Sequence, residues 1–191
     1  MPQLPARTDP ALPAILTNVL NPFVVFSVLY ALVAVEAGAP RFVAAELAAA
    51  GLVAGFVLAL RRGSRVGDFW LSSRAERLLP AVVLLAAFVG LLVVLHLFGA
   101  PGELSRTTLS MGVAATVAAG ITLFWKISAH SAVAGHAAAA GLLLLGAGGL
   151  PFLLVLPLVL WARVSAGAHT PSQALAGAGL GAVCAGLFLA G

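Results

Sequence analysis

Four residues in this chain have the types and spacing for phosphate chemistry: Lys126 with His130 four positions on, and Arg163 with His169 six positions on. Each pair stands at the end of a long apolar run, in a chain that has only 10 Lys and Arg and 4 His. A charge in such a place is costly unless it faces a partner or a polar cavity, so it is a functional candidate by default. A phosphoryl group in transfer spreads negative charge over three equatorial oxygens, and guanidinium forks with an ammonium are the groups that hold it. An imidazole, whose reference pKa is nearest neutrality, supplies the nucleophile or the proton transfers.

The elements that carry these residues follow from composition. Hydrophobic residues make up 62% of the 191 and charged residues 8%, against about 25% charged in soluble domains, so an integral membrane protein is expected. Charge-free runs cover 10–35, 78–102, 107–125, 127–162 and 164–191, and 42–60 carries only Glu46; a helical span needs roughly 20 residues. The run 127–162 is too long for one span, and Gly146, Gly148, Gly149 and Pro151 near its middle divide it into two helices joined by a tight turn. The expected spans are 13–36, 42–60, 79–98, 106–124, 129–147, 151–166 and 171–190, an all-α bundle of six to seven transmembrane helices in one domain, 1–191. The first apolar stretch exceeds the h-region of a cleaved signal and is expected to be a span.

Counting crossings places 61–78, 125–129 and 163–171 on the side of the N-terminus, and 37–41, 99–105 and 148–150 on the other. The first side holds Arg7, Arg61, Arg62, Arg65, Arg74, Arg77, Lys126 and Arg163; the second holds Arg41 and Arg106. The positive-inside rule makes the first side cytoplasmic, in a bacterial or archaeal cell membrane on this reading. The same parity brings three segments to one membrane surface: Asp68 to Pro80, Lys126 to His130, and Arg163 to Gln173. The cations form no stripe on a polar surface and no nucleic-acid motif is present, so topology rather than nucleic acid explains the net charge of +4.

In the third segment Ala162-Arg163 is followed after five residues by His169 and after three more by Gln173; in the second, Ile127-Ser128-Ala129-His130 pairs a Ser with a His. On these two patterns the sequence resembles the type 2 phosphatidic acid phosphatase family, whose motifs are Ser-Arg, five residues, His, three residues, Asp; Pro-Ser-Gly-His; and Lys, six residues, Arg-Pro. The last is represented by Arg77, with Pro80 displaced by two positions, Trp70 where the Lys would stand and Arg74 as a substitute cation. The resemblance covers about 68–185. It implies that His169 attacks phosphorus to form a phosphohistidine and His130 protonates the leaving oxygen. It further implies that Arg77, Arg163, Lys126 and Arg74 clamp the phosphate while Ser128 donates a hydrogen bond to it. Gln173 stands where the family has Asp; its carbonyl is expected to orient His169 without supplying charge, unless Asp68 or Glu76 does so. No cofactor and no metal are implied.

The remaining polar residues read as structural. Arg61, Arg62 and Arg65 are topology anchors or headgroup contacts. His96 and His136 are expected in packing or interhelical hydrogen bonds, and four His without a Cys or carboxylate cluster make no metal site. Glu46, about one turn into its span, is expected at the interface. Asn18, Asn21 and Pro22 suggest a kink or local irregularity, Cys184 a lipid-facing or packed thiol, and Gly177, Gly181 and Ala185 close helix packing.

The function expected is metal-independent hydrolysis of a polyprenyl or glycerolipid phosphate or diphosphate, with membrane lipids as partners. The alternative is a catalytically impaired protein that binds or moves phospholipids, for which Gln173 speaks. A small-solute transporter is disfavoured by the absence of charged or discontinuous features within the spans.

Overall fold

The computed structural model describes residues 11–63 and 78–191. Among them are α1 (Ala11–Val19), α2 (Pro22–Glu36), α3 (Val43–Arg62), α4 (Leu78–Leu97), α5 (Gly102–Thr122), α6 (Ala129–Leu145), α7 (Leu150–Ser165) and α8 (Pro171–Leu189), and no strand. The helices match the expected spans within a few residues, with one exception. The segment 13–36 is two helices, α1 and α2, bent by about 40°. Its break has a local cause: Asn21 caps α2 by accepting from the Val24 N–H at 3.0 Å, its amide donates to the Asn18 carbonyl at 2.7 Å, and Pro22 follows at the first helical position.

Four described stretches are long and apolar enough to cross a membrane, 40–62, 79–97, 129–165 and 171–189, and α1 with α2 makes a fifth. These apolar helices are consistent with an integral membrane protein. The stretch 129–165 is α6 and α7 folded back on each other. Gly146 turns the chain with φ +54°, and a Cβ at Gly149 would fall on the backbone of Gly141.

The α6 helix is the centre of the bundle and its tightest interface is with α8. A Cβ at Gly135 would strike the Ala178 carbonyl, one at Gly177 the Ser128 carbonyl, and one at Gly181 the Ala132 carbonyl. Small residues spaced by four thus let the two backbones touch, as expected from Gly177, Gly181 and Ala185. Cys184 is buried in the same packing. His136, fully buried, joins α6 to α5 through a 2.7 Å hydrogen bond with Ser110 Oγ. His96 does not pack: it is exposed on the last turn of α4. At the far end of the bundle, Arg106 at the start of α5 donates to the Gly191 carbonyl at 2.6 Å.

Candidate functional site

Between α2, α3, α4, α5 and α6 lies a chamber of about 500 Å³, within the range of roughly 300–1,000 Å³ that encloses small ligands. Its walls are mainly Ala, Leu, Val and Phe. The end next to the α6 N-terminus carries His130, Arg163 and His169, all buried. The other end, at the start of α3, carries Glu46.

The spacing from Arg163 to His169 has a structural origin. After α7 the chain turns at Gly167, φ +65°, where a residue with a Cβ would be strained. The Gly167 N–H donates to the Val164 carbonyl at 2.9 Å and the Ala168 N–H to the Arg163 carbonyl at 3.1 Å. This is the Schellman pattern of helix termination, and it folds the chain back until the His169 N–H also meets the Arg163 carbonyl, at 3.2 Å. Thr170 then caps α8, with Pro171 at the first helical position. One helix end and one helix start, back to back, set Arg163 and His169 on a common wall.

His169 is further fixed by its Nδ1, which lies 3.2 Å from the Lys126 carbonyl oxygen. A carbonyl only accepts, so Nδ1 donates this hydrogen bond, which in a neutral imidazole leaves the lone pair on Nε2. His130 is the second residue of α6, next to the positive end of the helix dipole.

Two residues assigned to the phosphate or to His169 are engaged at helix starts, and a third adds its backbone. Ser128 is fully buried as the N-cap of α6: its Oγ accepts from the Ser131 N–H at 3.3 Å and the Ser131 hydroxyl at 2.9 Å, and it is not on the chamber wall. Gln173 is the third residue of a capping box. Its Oε1 accepts from the Thr170 N–H at 3.1 Å, and its own N–H donates to Thr170 Oγ1. The position that the family pattern gives to a carboxylate therefore serves the start of α8, while the Lys126 carbonyl supplies the acceptor for His169. Lys126 is half-buried beside the site and contributes that carbonyl. Arg74 and Arg77, with Asp68, Glu76 and Arg65, lie outside the described residues; from that segment's end only Pro80 is described on the chamber wall.

Glu46, in the first turn of α3, is packed inside the bundle. It is 3% exposed, its Oε1 accepts from the Ser27 hydroxyl at 2.9 Å, and its Oε2 has no hydrogen-bond partner. A 3-10 turn, Pro40–Phe42, precedes α3, and the hydrogen bond from Ser27 ties Glu46 to α2. An acid inside an apolar run was the signal that could have found it. The bent α1–α2 pair is a discontinuous feature of the kind whose absence disfavoured a small-solute transporter. Among the described residues no three His, Cys, Asp or Glu come together as a metal ion requires.

Compared with family models, with curated proteins and with solved structures, the chain matches none of them.

Proposed function

We propose that this protein is a membrane lipid phosphatase that works through a phosphohistidine without a metal. One observation carries the reading: His130, Arg163 and His169 share one end of a chamber whose walls are mainly apolar. That arrangement suits an amphiphile whose phosphate meets the cations and whose chain enters the chamber, a polyprenyl or glycerolipid phosphate or diphosphate taken from the bilayer.

In this mechanism His169 Nε2 attacks phosphorus, and the P–O bond to the lipid breaks as His130 gives its proton to the leaving oxygen. The released His130 then takes a proton from water, which attacks the phosphohistidine and frees inorganic phosphate and His169. Arg163 balances charge on the equatorial oxygens, with Arg77, Arg74 and Lys126 as the further cations the family pattern supplies. Counting α3, α4, α5, α6, α7 and α8 as one crossing each gives six spans, and seven with the bent α1–α2 pair, with the site on the cytoplasmic side.

A non-catalytic phospholipid binder is the second reading, favoured by the engagement of Gln173 in the α8 cap. The two separate in one assay. Purified protein in detergent, with chelator present, is expected to release phosphate from a panel of lipid phosphates, and Arg163→Gln to weaken that activity by at least about tenfold, the scale of a lost charge-assisted hydrogen bond. Lipid binding with no phosphate release from any member would leave only the binder.

A further inference from the structure

The chamber has a definite depth. Its wall residues run eleven positions along α3, from Val57 to Glu46, eleven along α4, from Pro80 to Leu91, and twelve along α5, from Leu123 to Met111. At about 1.5 Å per residue each of the three helices gives roughly 16–18 Å. The ends correspond. After Thr122 the chain leads through Leu123 to Ile127 and His130, and the short connection from Leu97 to Gly102 sets Leu91 and Met111 together at the other end.

The sides and the inner end are closed. In the order α2, α3, α4, α5, α6 each helix packs on the next, and α6 packs back on α2. Past the innermost wall residues Phe26, Leu91 and Met111, the same helices carry Tyr30, Leu95 and Leu104, which have no accessible surface and belong to the hydrophobic core. His130, Arg163 and His169 stand at one end of the shaft, and packed apolar side chains stop the other.

A phosphate held at the first end directs its chain inward, and a blind shaft limits that chain. An extended hydrocarbon advances about 1.3 Å per carbon, much as a trans backbone covers about 3.8 Å in three bonds, so a depth of roughly 16–18 Å holds about 13 carbons. A shorter chain leaves a gap whose lining forfeits dispersion contacts. A longer one must displace packed core.

Taking the phosphate-bearing lipid of the reading above as the ligand, on which this step rests, we infer that the chamber selects by chain length. The substrate class is the phosphate of a chain of about 13 carbons, straight or short prenyl, and a long polyprenyl phosphate is excluded.

The test is kcat/KM of the full chain for alkyl phosphates from decyl to eicosyl, each at one mole fraction in micelles of a sterol-based detergent, which has no alkyl chain to fill the shaft. Tetradecyl phosphate is expected to be the best of the series and eicosyl phosphate at least about fivefold poorer, the low end of overpacking penalties. Farnesyl phosphate, of nearly the same reach, run beside tetradecyl phosphate tells a prenyl chain from a straight one. Ala115 lines the wall eight residues from Leu123, about 12 Å along the shaft. Ala115→Phe should therefore raise the ratio of decyl to tetradecyl activity at least about fivefold. Leu91→Ala opens the inner end, should move the optimum to a longer chain, and carries the test if the Phe variant does not fold. Both readouts are ratios within one preparation, so partial loss of folded protein does not change them.

No dependence on chain length in the parent protein would overturn the proposal, as would faster hydrolysis of a polyprenyl phosphate than of tetradecyl phosphate, or an optimum unmoved in both variants. Alkylphosphonates of the same lengths have no ester bond to break, and calorimetry of their binding separates this proposal from the phosphatase reading. Binding that peaks at the same length, with no phosphate hydrolysed, would strike that reading and keep the length selection. Hydrolysis with no length preference would do the reverse.

Discussion

Small residues do opposite things on the two sides of α6. Toward α8, Gly135, Gly177 and Gly181 bring the backbones so close that any added methyl would overlap a carbonyl. Across the chamber, Ala49, Ala50, Ala87, Ala115, Ala118 and Ala119 leave space between helices whose separation is set elsewhere. In a bilayer, lipid is as apolar as leucine, so helices associate through close packing rather than through burial from water. A small residue therefore tightens an interface only where the partner backbone can follow it in. The difference shows which side is scaffold: the α6–α8 contact fixes Ser128 against Gly177 and so fixes the start of α6, where His130 projects.

Gly181→Ala is the strongest challenge to this comparison. Its Cβ would lie on the Ala132 carbonyl and 2.7 Å from the His136 nitrogen, so the helices must separate. We expect a loss of about 3 kcal/mol, the upper end of overpacking costs, only partly offset by the roughly 1 kcal/mol that Ala gains over Gly as a helix former. Reversible unfolding in mixed micelles measures it; a variant as stable as the parent would mean that the α6–α8 contact is not the scaffold.

On the other side, Ala118→Phe adds a ring to the chamber wall. Stability is expected to stay within about 1 kcal/mol, because the ring enters space rather than a packed contact, while lipid phosphate binding falls at least about tenfold. Unchanged binding would separate the chamber from the ligand.

The smallest effect is expected at the capping box. Gln173→Ala should cost about 1 kcal/mol as the start of α8 loses a partner, with turnover changed by less than about threefold, because the Lys126 carbonyl still sets the His169 tautomer. Kinetics of the variant decide it. A fall of about 10–100-fold, the usual effect of removing an orienting group, would return that role to Gln173.

The helices were legible because charge-free runs and their Gly and Pro interruptions report directly on membrane-length elements. The pairing of His130 with Arg163 and His169 was legible by parity, since an even number of helices separates the segments. Ser128 and Gln173 are engaged at helix starts for a reason visible in the sequence itself. Ser before a helix, and Thr170 followed by Gln three positions on, are helix-start signatures, and the unpaired N–H groups of α6 and α8 claim those side chains first. Glu46 stood out as the one acid in its apolar run, but its partner was not legible, because the face that α3 turns toward Ser27 is not written in hydropathy.

The central claim is a covalent bond to His169. Mixing the protein with a lipid phosphate labelled on phosphorus, quenching in alkaline denaturant and mapping the label by mass spectrometry tests it most directly. The account predicts phosphate on His169 during turnover, no label in His169→Ala, and phosphate release in that variant reduced by several orders of magnitude, the scale of removing a nucleophile. Turnover by His169→Ala at the parent rate, or turnover by the parent with no label on His169, would contradict it.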